Sequence, residues 1–326
     1  LTVGTGPDSL NDDGEINGRG AHVRGRILLA TSVLAAILVA ACTTVVLLLV
    51  EPTASKGEAI KTGGLTGGAV VALYALWLND RRRRTEEARH ELESEKVADE
   101  RFARSVELLG NEADQVRVGA LHALAWLAES SPRYKQTVLD VLCAYLRRPF
   151  MHPSYTVRGD DPDQAPTEDA PDADLERQVR LTAQRLITDL LPWGTNRDPR
   201  AYHLDLTGAH LEYFRLEGRR IGRLTARRAR FYGITQLGSV EASKPALFTG
   251  AAFLGRVNMH DSRFDGGISF QHTAFCGEAA FGGASVATFI DVDTTPPERH
   301  TGALIVADRT RVAGDPARWP LACPPP

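Results

Sequence analysis

The most constraining feature of this chain is a spacing. Between residues 201 and 235 the large side chains fall at Leu206, Leu211, Leu216, Ile221, Ala226 and Phe231, one every five residues. The residue two before each is Leu204, Ala209, Phe214, Arg219, Leu224 or Ala229. This 2,3,2,3 rhythm fits neither an amphipathic helix, which alternates three and four, nor a strand, which alternates by two. It requires a backbone that turns a corner every five residues, so that the same two positions always face inward. Four such faces close a square coil of about 20 residues, and coils stack roughly 4.8 Å apart like parallel strands.

The rhythm is interrupted from Gln236 to Pro245 and then returns with centres at Phe248, Phe253, Met259, Phe264, Phe270, Phe275, Phe281 and Val286. Their inward partners are Ala246, Ala251, Val257, Ser262, Ile268, Thr273, Ala279 and Ala284. Steps of five and six now alternate. Gly255, Gly266 and Gly277 recur inside the six-residue steps, where an extra corner residue is expected to need φ > 0. Arg219 at an inward position and Ala226 as a weak centre predict one irregular face. Arg220, Arg223, Arg227, Arg228 and Arg230 are expected to point outward, as are His203, His210, His260 and His272. The centres account for about 3.5 coils, a rod of roughly 17 Å.

The stretch LTGAHLE at 206–212 resembles the A(D/N)Lxx motif of pentapeptide-repeat proteins, although only Asp205 and Asn258 supply the Asp or Asn before a centre. That resemblance implies a right-handed quadrilateral β-helix over 201–292. The segment ERFARSVELLGNEADQVRVGALHALAWLAESS at 100–131 is similar to the region that precedes such repeats in membrane-attached bacterial members. Stacked coils need capped ends. A helical bundle is expected at one end, and 293–326, a cap with a Pro-rich tail, at the other.

Upstream, Ile27–Val50 is 24 residues without a charge. At 1.5 Å per residue it reaches about 36 Å, enough for a hydrocarbon core of roughly 30 Å. Thr62–Leu78 is a second, shorter apolar run, and the 11-residue link Glu51–Lys61 makes the two antiparallel neighbours over 27–78. Gly64 and Gly68 on one and Ser32, Ala36 and Ala40 on the other permit close packing. Arg19, Arg24, Arg26 and Arg81 to Arg84 outnumber Lys56 and Lys61 in the link. The bias predicts a bacterial inner-membrane hairpin with both termini cytoplasmic, partnered by the lipid bilayer through 27–50 and 62–78. Residues 1–26 are polar and Gly/Asp-rich, expected to be a disordered cytoplasmic head. Val39-Ala40-Ala41-Cys42 resembles a lipobox, but the run continues apolar through Val50 where a lipoprotein needs a polar tether.

Residues 79–149 read as a cytoplasmic helical region. The second apolar run continues as helix through the Arg/Glu-rich stretch to Gly110. Val116, Ala120, Ala123, Leu124 and Leu127 then form one apolar face, with His122 and Trp126 expected as packing residues. Ser131-Pro132 starts the next helix, carrying Val138, Val141, Leu142 and Tyr145. A Pro-rich acidic linker follows over 150–174. A last helix at 175–192 carries Val179, Ala183, Leu186, Ile187 and Leu190. The fold class is therefore multi-domain: a transmembrane helical hairpin, a small α-helical bundle and a β-helix.

No residue is assigned a catalytic, cofactor-binding or metal-binding role. The cysteines, Cys42, Cys143, Cys276 and Cys323, are too dispersed for a zinc site or disulfide scaffold. His90-Glu91 begins an HExxH pattern, but position 94 is Ser. The linker acids miss the EF-hand spacing, and phosphate-loop, dinucleotide and nucleophile-elbow motifs are missing. The reading is a non-catalytic interaction scaffold with an unknown protein partner. Its alternatives are a nucleic-acid-associated regulator that mimics DNA, or an enzyme without a recognisable motif. A DNA mimic needs an acidic rod. Residues 204–236 instead hold seven Arg against Asp205, Glu212 and Glu217, and 237–290 are nearly neutral. DNA is accordingly disfavoured as a partner.

Overall fold

A computed structural model of the protein describes residues 34, 37–39, 41–42, 45–46, 56–156, 170–194 and 198–322. The chain forms two compact units, Leu1–Glu95 and Lys96–Pro326. The predicted head at 1–26, most of the run 27–50 and linker residues 157–169 lie outside the described residues.

In the second unit the corner-turning rhythm produces a parallel β-solenoid. Twenty short strands, β1 (Leu204–Asp205) to β20 (Leu321–Ala322), stack into faces of six, four, six and four strands. On one face Leu204 pairs with Leu224, Leu224 with Ala246, Ala246 with Ile268, and Ile268 with Ile290. The first coil thus takes 20 residues and the later ones 22, as five-residue and then mixed steps require. Every centre from Leu206 to Phe270 is buried, so the rhythm is the core pattern.

Two aromatic ladders run through the interior. Phe231, Phe253 and Phe275 stack with centroids 4.7 and 5.3 Å apart. Phe248, Phe270 and Trp319 stack at 5.8 and 5.4 Å. Burying each such ring contributes about 2 kcal/mol. Two inward hydroxyls are satisfied by backbone of the preceding coil: Ser262 Oγ donates to the Leu237 carbonyl at 2.5 Å and Thr273 Oγ1 to the Phe248 carbonyl at 2.9 Å, whereas the buried Thr235 Oγ1 has no hydrogen-bond partner among the described residues.

Three expectations for the coil are corrected. The stretch 236–245 is no interruption: Leu237 and Ala242 are buried centres, and β6 (Thr235–Gln236) and β7 (Glu241–Ala242) keep the parallel register. The coil also runs past 292. β17 (His300–Thr301), β18 (Leu304–Val306), β19 (Arg311–Gly314) and β20 add to three of the four faces. The third correction concerns Gly255, Gly266 and Gly277, which do not have positive φ. A Cβ on them would collide with the backbone of Gly233, Lys244 and Gly255 one coil below, so they are small because coils touch there. Positive φ falls in the five-residue corners, two past the centre, at Arg228, Ser239, Gly250, Asp261, His272 and Gly283, and within the six-residue steps at Gly233 and Gly267. The corners at Arg228, Gly250, Asp261, His272 and Gly283 close with a hydrogen bond from the following inward residue to the centre, such as Ala251 N to the Phe248 carbonyl at 2.8 Å. A left-handed third residue is what a type II turn requires.

Residues 34, 37–39, 41–42 and 45–46 are helical, and helices α1 (Lys56–Leu109), α2 (Asp114–Ser130), α3 (Lys135–Leu146) and α4 (Pro171–Leu190) lead from there to the coil. The continuous α1 agrees with helix running on from the second apolar run. Among the described residues, however, no helix is long and apolar enough to cross a membrane. Within 62–78 the four glycines and two threonines dilute the apolar run, and charge follows from Asp80. The transmembrane hairpin is thus unsupported by the described helices. Helix α4 begins earlier than expected, taking Pro171–Asp174 from the linker. Pro171 occupies its first turn, and Asp172 and Asp174 sit at its positive end. His122 and Trp126 do not pack inward. Both are exposed, and Arg101 lies over the Trp126 ring at 5.4 Å.

Helices α2, α3 and α4 share one core with the coil through Leu121, Leu124, Leu139, Leu142, Val179 and Ile187. This helical layer covers the first coil. The Gln136 side-chain amide donates to the His203 carbonyl at 2.9 Å and accepts its N–H at 2.8 Å, substituting for a neighbouring strand. Trp319 closes the other end, edge-on to Phe275 and donating from Nε1 to the Thr294 carbonyl at 3.2 Å. The core is thus covered at both ends, while the outermost strands β17 and β19 stay exposed.

Candidate functional site

The seam between α4 and the first coil is polar and tightly bonded at one end and open at the other. At the closed end Arg177 holds Glu212 in a fork, with Nε to Oε2 at 2.8 Å and Nη2 to Oε1 at 2.7 Å. The Glu212 side chain is only 2% exposed. Its backbone N–H donates to Gln184 Oε1 at 3.2 Å. Arg180, also buried, donates to the carbonyls of Leu146, Arg148 and His210 at 2.5, 3.3 and 3.3 Å. Burial lowers its pKa, with Glu176 and nearby tyrosines opposing the shift. Tyr155 stacks on Tyr232 at 3.9 Å, beside His210, whose pKa is lowered by burial and by Arg230 and Arg180.

Beyond Gln184 the seam widens into a groove of about 580 Å³, within the range of ligand pockets. Arg185, Thr188 and Asp189 of α4 line one wall, and Tyr213, Arg215 and Arg219 of the first coil line the other. Trp193, 63% exposed, stands at its edge. Arg219 is the inward arginine that the spacing marks as a misfit. Its place is at the first coil, where Trp193 pairs with it by an antiparallel bridge and the guanidinium lies 5.5 Å from the Trp193 ring centroid. It donates to the Leu191 carbonyl at 3.2 Å, but its carboxylate partner Asp189 is 4.0 Å away and half exposed. Burial lowers the Arg219 pKa, the mark of a charge only partly compensated. The irregularity expected at Arg219 falls one face earlier: Arg220–Ile221 pairs regularly with Glu241–Ala242, whereas Arg215 makes only an isolated bridge to Gln236.

The four rod histidines all lie outside the coil interior. His203 Nδ1 accepts the Arg223 N–H at 2.9 Å, and His260 Nδ1 lies 2.5 Å from Asn258 Oδ1 with its ring against Gly238. These are packing roles on the outer wall. His90 and Glu91 are exposed on α1. Among the described residues no three His, Cys, Asp or Glu side chains gather where they could hold a metal ion. Cys143 is sealed in the helical core, and burial pushes its thiol pKa up to about 12.

The chain is thus a helix-capped parallel β-solenoid with an open groove beside the cap. Comparison with protein-family models, curated proteins and solved structures finds no match to the chain. The groove residues were missed in the sequence because they come from two segments with unrelated rhythms. Arg219, an arginine at an inward position, was the one signal pointing there.

Proposed function

We propose that this chain is a membrane-anchored, non-catalytic solenoid of the pentapeptide-repeat kind, acting as an interaction scaffold on the cytoplasmic face of a bacterial inner membrane. One observation carries the reading. The chain covers its own core at both ends, yet leaves a groove beside α4 open, with Arg185, Arg215, Arg219 and the exposed Trp193 on its rim. Aromatic and arginine side chains are the residues that anchor partners at interfaces. The apolar run 27–50 supports the anchor, as does α1, where Leu65, Leu73, Leu76 and Trp77 are exposed. Arg81 lies over the Trp77 ring at 5.4 Å, and Trp beside arginine suits a membrane–water interface. Residues 62–78, too dilute to span alone, are read as the returning arm packed through Gly64 and Gly68. The DNA-mimic alternative is disfavoured by the exposed arginines of the first coils.

The groove is tested by placing a photo-reactive residue at position 185 of the full-length chain in its native membrane. A discrete crosslinked partner, lost when Trp193→Ala and Arg219→Ala are combined, is the expected result. An identical crosslinking pattern from a control position such as Arg309 would contradict the reading.

A further inference from the structure

The second coil carries a set of exposed cations outside the groove, of which Arg230 reaches the Tyr232 hydroxyl. Arg223 and Lys244 sit at the corner entering the face of β4 (Leu224–Thr225) and β8 (Ala246–Leu247). Arg227 and Arg228 sit at the corner leaving it, and Arg230 follows on β5 (Arg230–Tyr232). All five are exposed. Among the described residues none has a carboxylate within ion-pair distance. The coil below offers Asp205, which Arg147 already pairs, then Thr207, Gly208 and His210. The coil above offers Leu247, Thr249, Gly250 and Ala252. The Arg228 stem leans over Gly250, where a Cβ would come within 3.3 Å of its Cγ. Left-handed φ at Arg228 belongs to the turn and holds that side chain at the corner.

Four cations framing one face, with Arg230 on the next and the carboxylate below, Asp205, already paired by Arg147, form a surface complementary to a sheet of negative charge. We propose that this face is a docking surface for anionic phospholipid headgroups. The inference rests on the membrane anchorage proposed above, which keeps the solenoid at high local concentration near a bilayer. Each cation near an anionic surface strengthens binding by about fivefold, and salt removes the effect. An apolar anchor plus a basic surface is the two-signal arrangement that stable membrane attachment uses.

The test uses the full chain reconstituted with vesicles of phosphatidylcholine alone or with added phosphatidylglycerol. A guanidinium-selective dicarbonyl reagent is applied and each arginine's modification is read by mass spectrometry. Arg223, Arg227, Arg228 and Arg230 are expected to be protected about fivefold by the anionic vesicles. Protection disappears at high salt, and at Arg228 in the Arg223→Gln/Arg227→Gln/Arg230→Gln variant, while Arg309 and Arg318 stay equally reactive throughout. Equal modification in both vesicles overturns the proposal. So does protection by duplex DNA but not by anionic vesicles, which would assign the face to nucleic acid. A chain that fails to float with neutral vesicles contradicts the anchorage instead, and the anionic vesicles still report on the basic face.

Discussion

At the scale of single residues, the coil is set by space as much as by burial. Gly255 stands where the next lower coil presents the Gly233 carbonyl, and a methyl has nowhere to go. Gly255→Ala should cost about 1–3 kcal/mol in urea unfolding. Gly282→Ala, whose added methyl meets nothing within 4 Å, should leave the midpoint nearly unchanged. The spacing of these glycines was legible in the sequence but its cause was not, because a one-dimensional period cannot distinguish a left-handed turn from a close approach between coils. Thiol chemistry gives a second check. Cys276 is exposed and Cys143 buried, so an alkylating reagent should modify Cys276 in the native protein and reach Cys143 only on unfolding. Rapid native labelling of Cys143 would show that the helical core is open.

At the scale of elements, the seam between the helical layer and the first coil depends on two ion pairs of different kinds. Arg177 and Glu212 are mostly out of water, so Arg177→Ala leaves a buried carboxylate unpaired and should destabilise by about 3 kcal/mol in thermal or urea melts. The Arg147–Asp205 pair is half exposed, and solvent screens it. Burial works to raise the Asp205 pKa, but hydrogen bonds from the Thr207 hydroxyl and amide, together with Arg147, bring it below the usual value. A carboxylate depressed in the folded state adds stability above its unfolded pKa, and that contribution is lost as pH falls through the folded value. The urea midpoints of the native chain and Asp205→Asn should therefore differ at pH 7 and converge as acid carries the pH below the folded-state value. A difference that persisted unchanged in acid would assign the effect to packing. The helices themselves were largely readable: Val179, Ala183, Leu186, Ile187 and Leu190 are buried along one face of α4, as their period predicts. The last coil was not, because the long loop after Val292 breaks the five-six rhythm. Register there is kept by backbone bonds such as Ile305 N to the Ala284 carbonyl at 2.7 Å.

At the scale of the whole molecule, the solenoid depends on what covers its core at each end. Removing everything after Asp291 takes away Trp319 and four strands and exposes Phe270, Phe275 and Phe281. That truncation should lower the melting temperature markedly, and Trp319→Ala alone should cost about 3–5 kcal/mol. Unchanged stability would mean the C-terminal segment is no cap. The groove shows the limit of reading from sequence at this scale, since Arg185 and Arg219 meet only after two different periodicities have folded against each other. Central to the functional account is that a capped, non-reactive recognition unit is held at a bilayer. Flotation of native membranes after washing with high salt and alkaline carbonate tests this most directly. The account predicts that the full chain rises with the lipid and that a chain lacking 27–78 does not. Recovery of the full chain in the soluble fraction would contradict it.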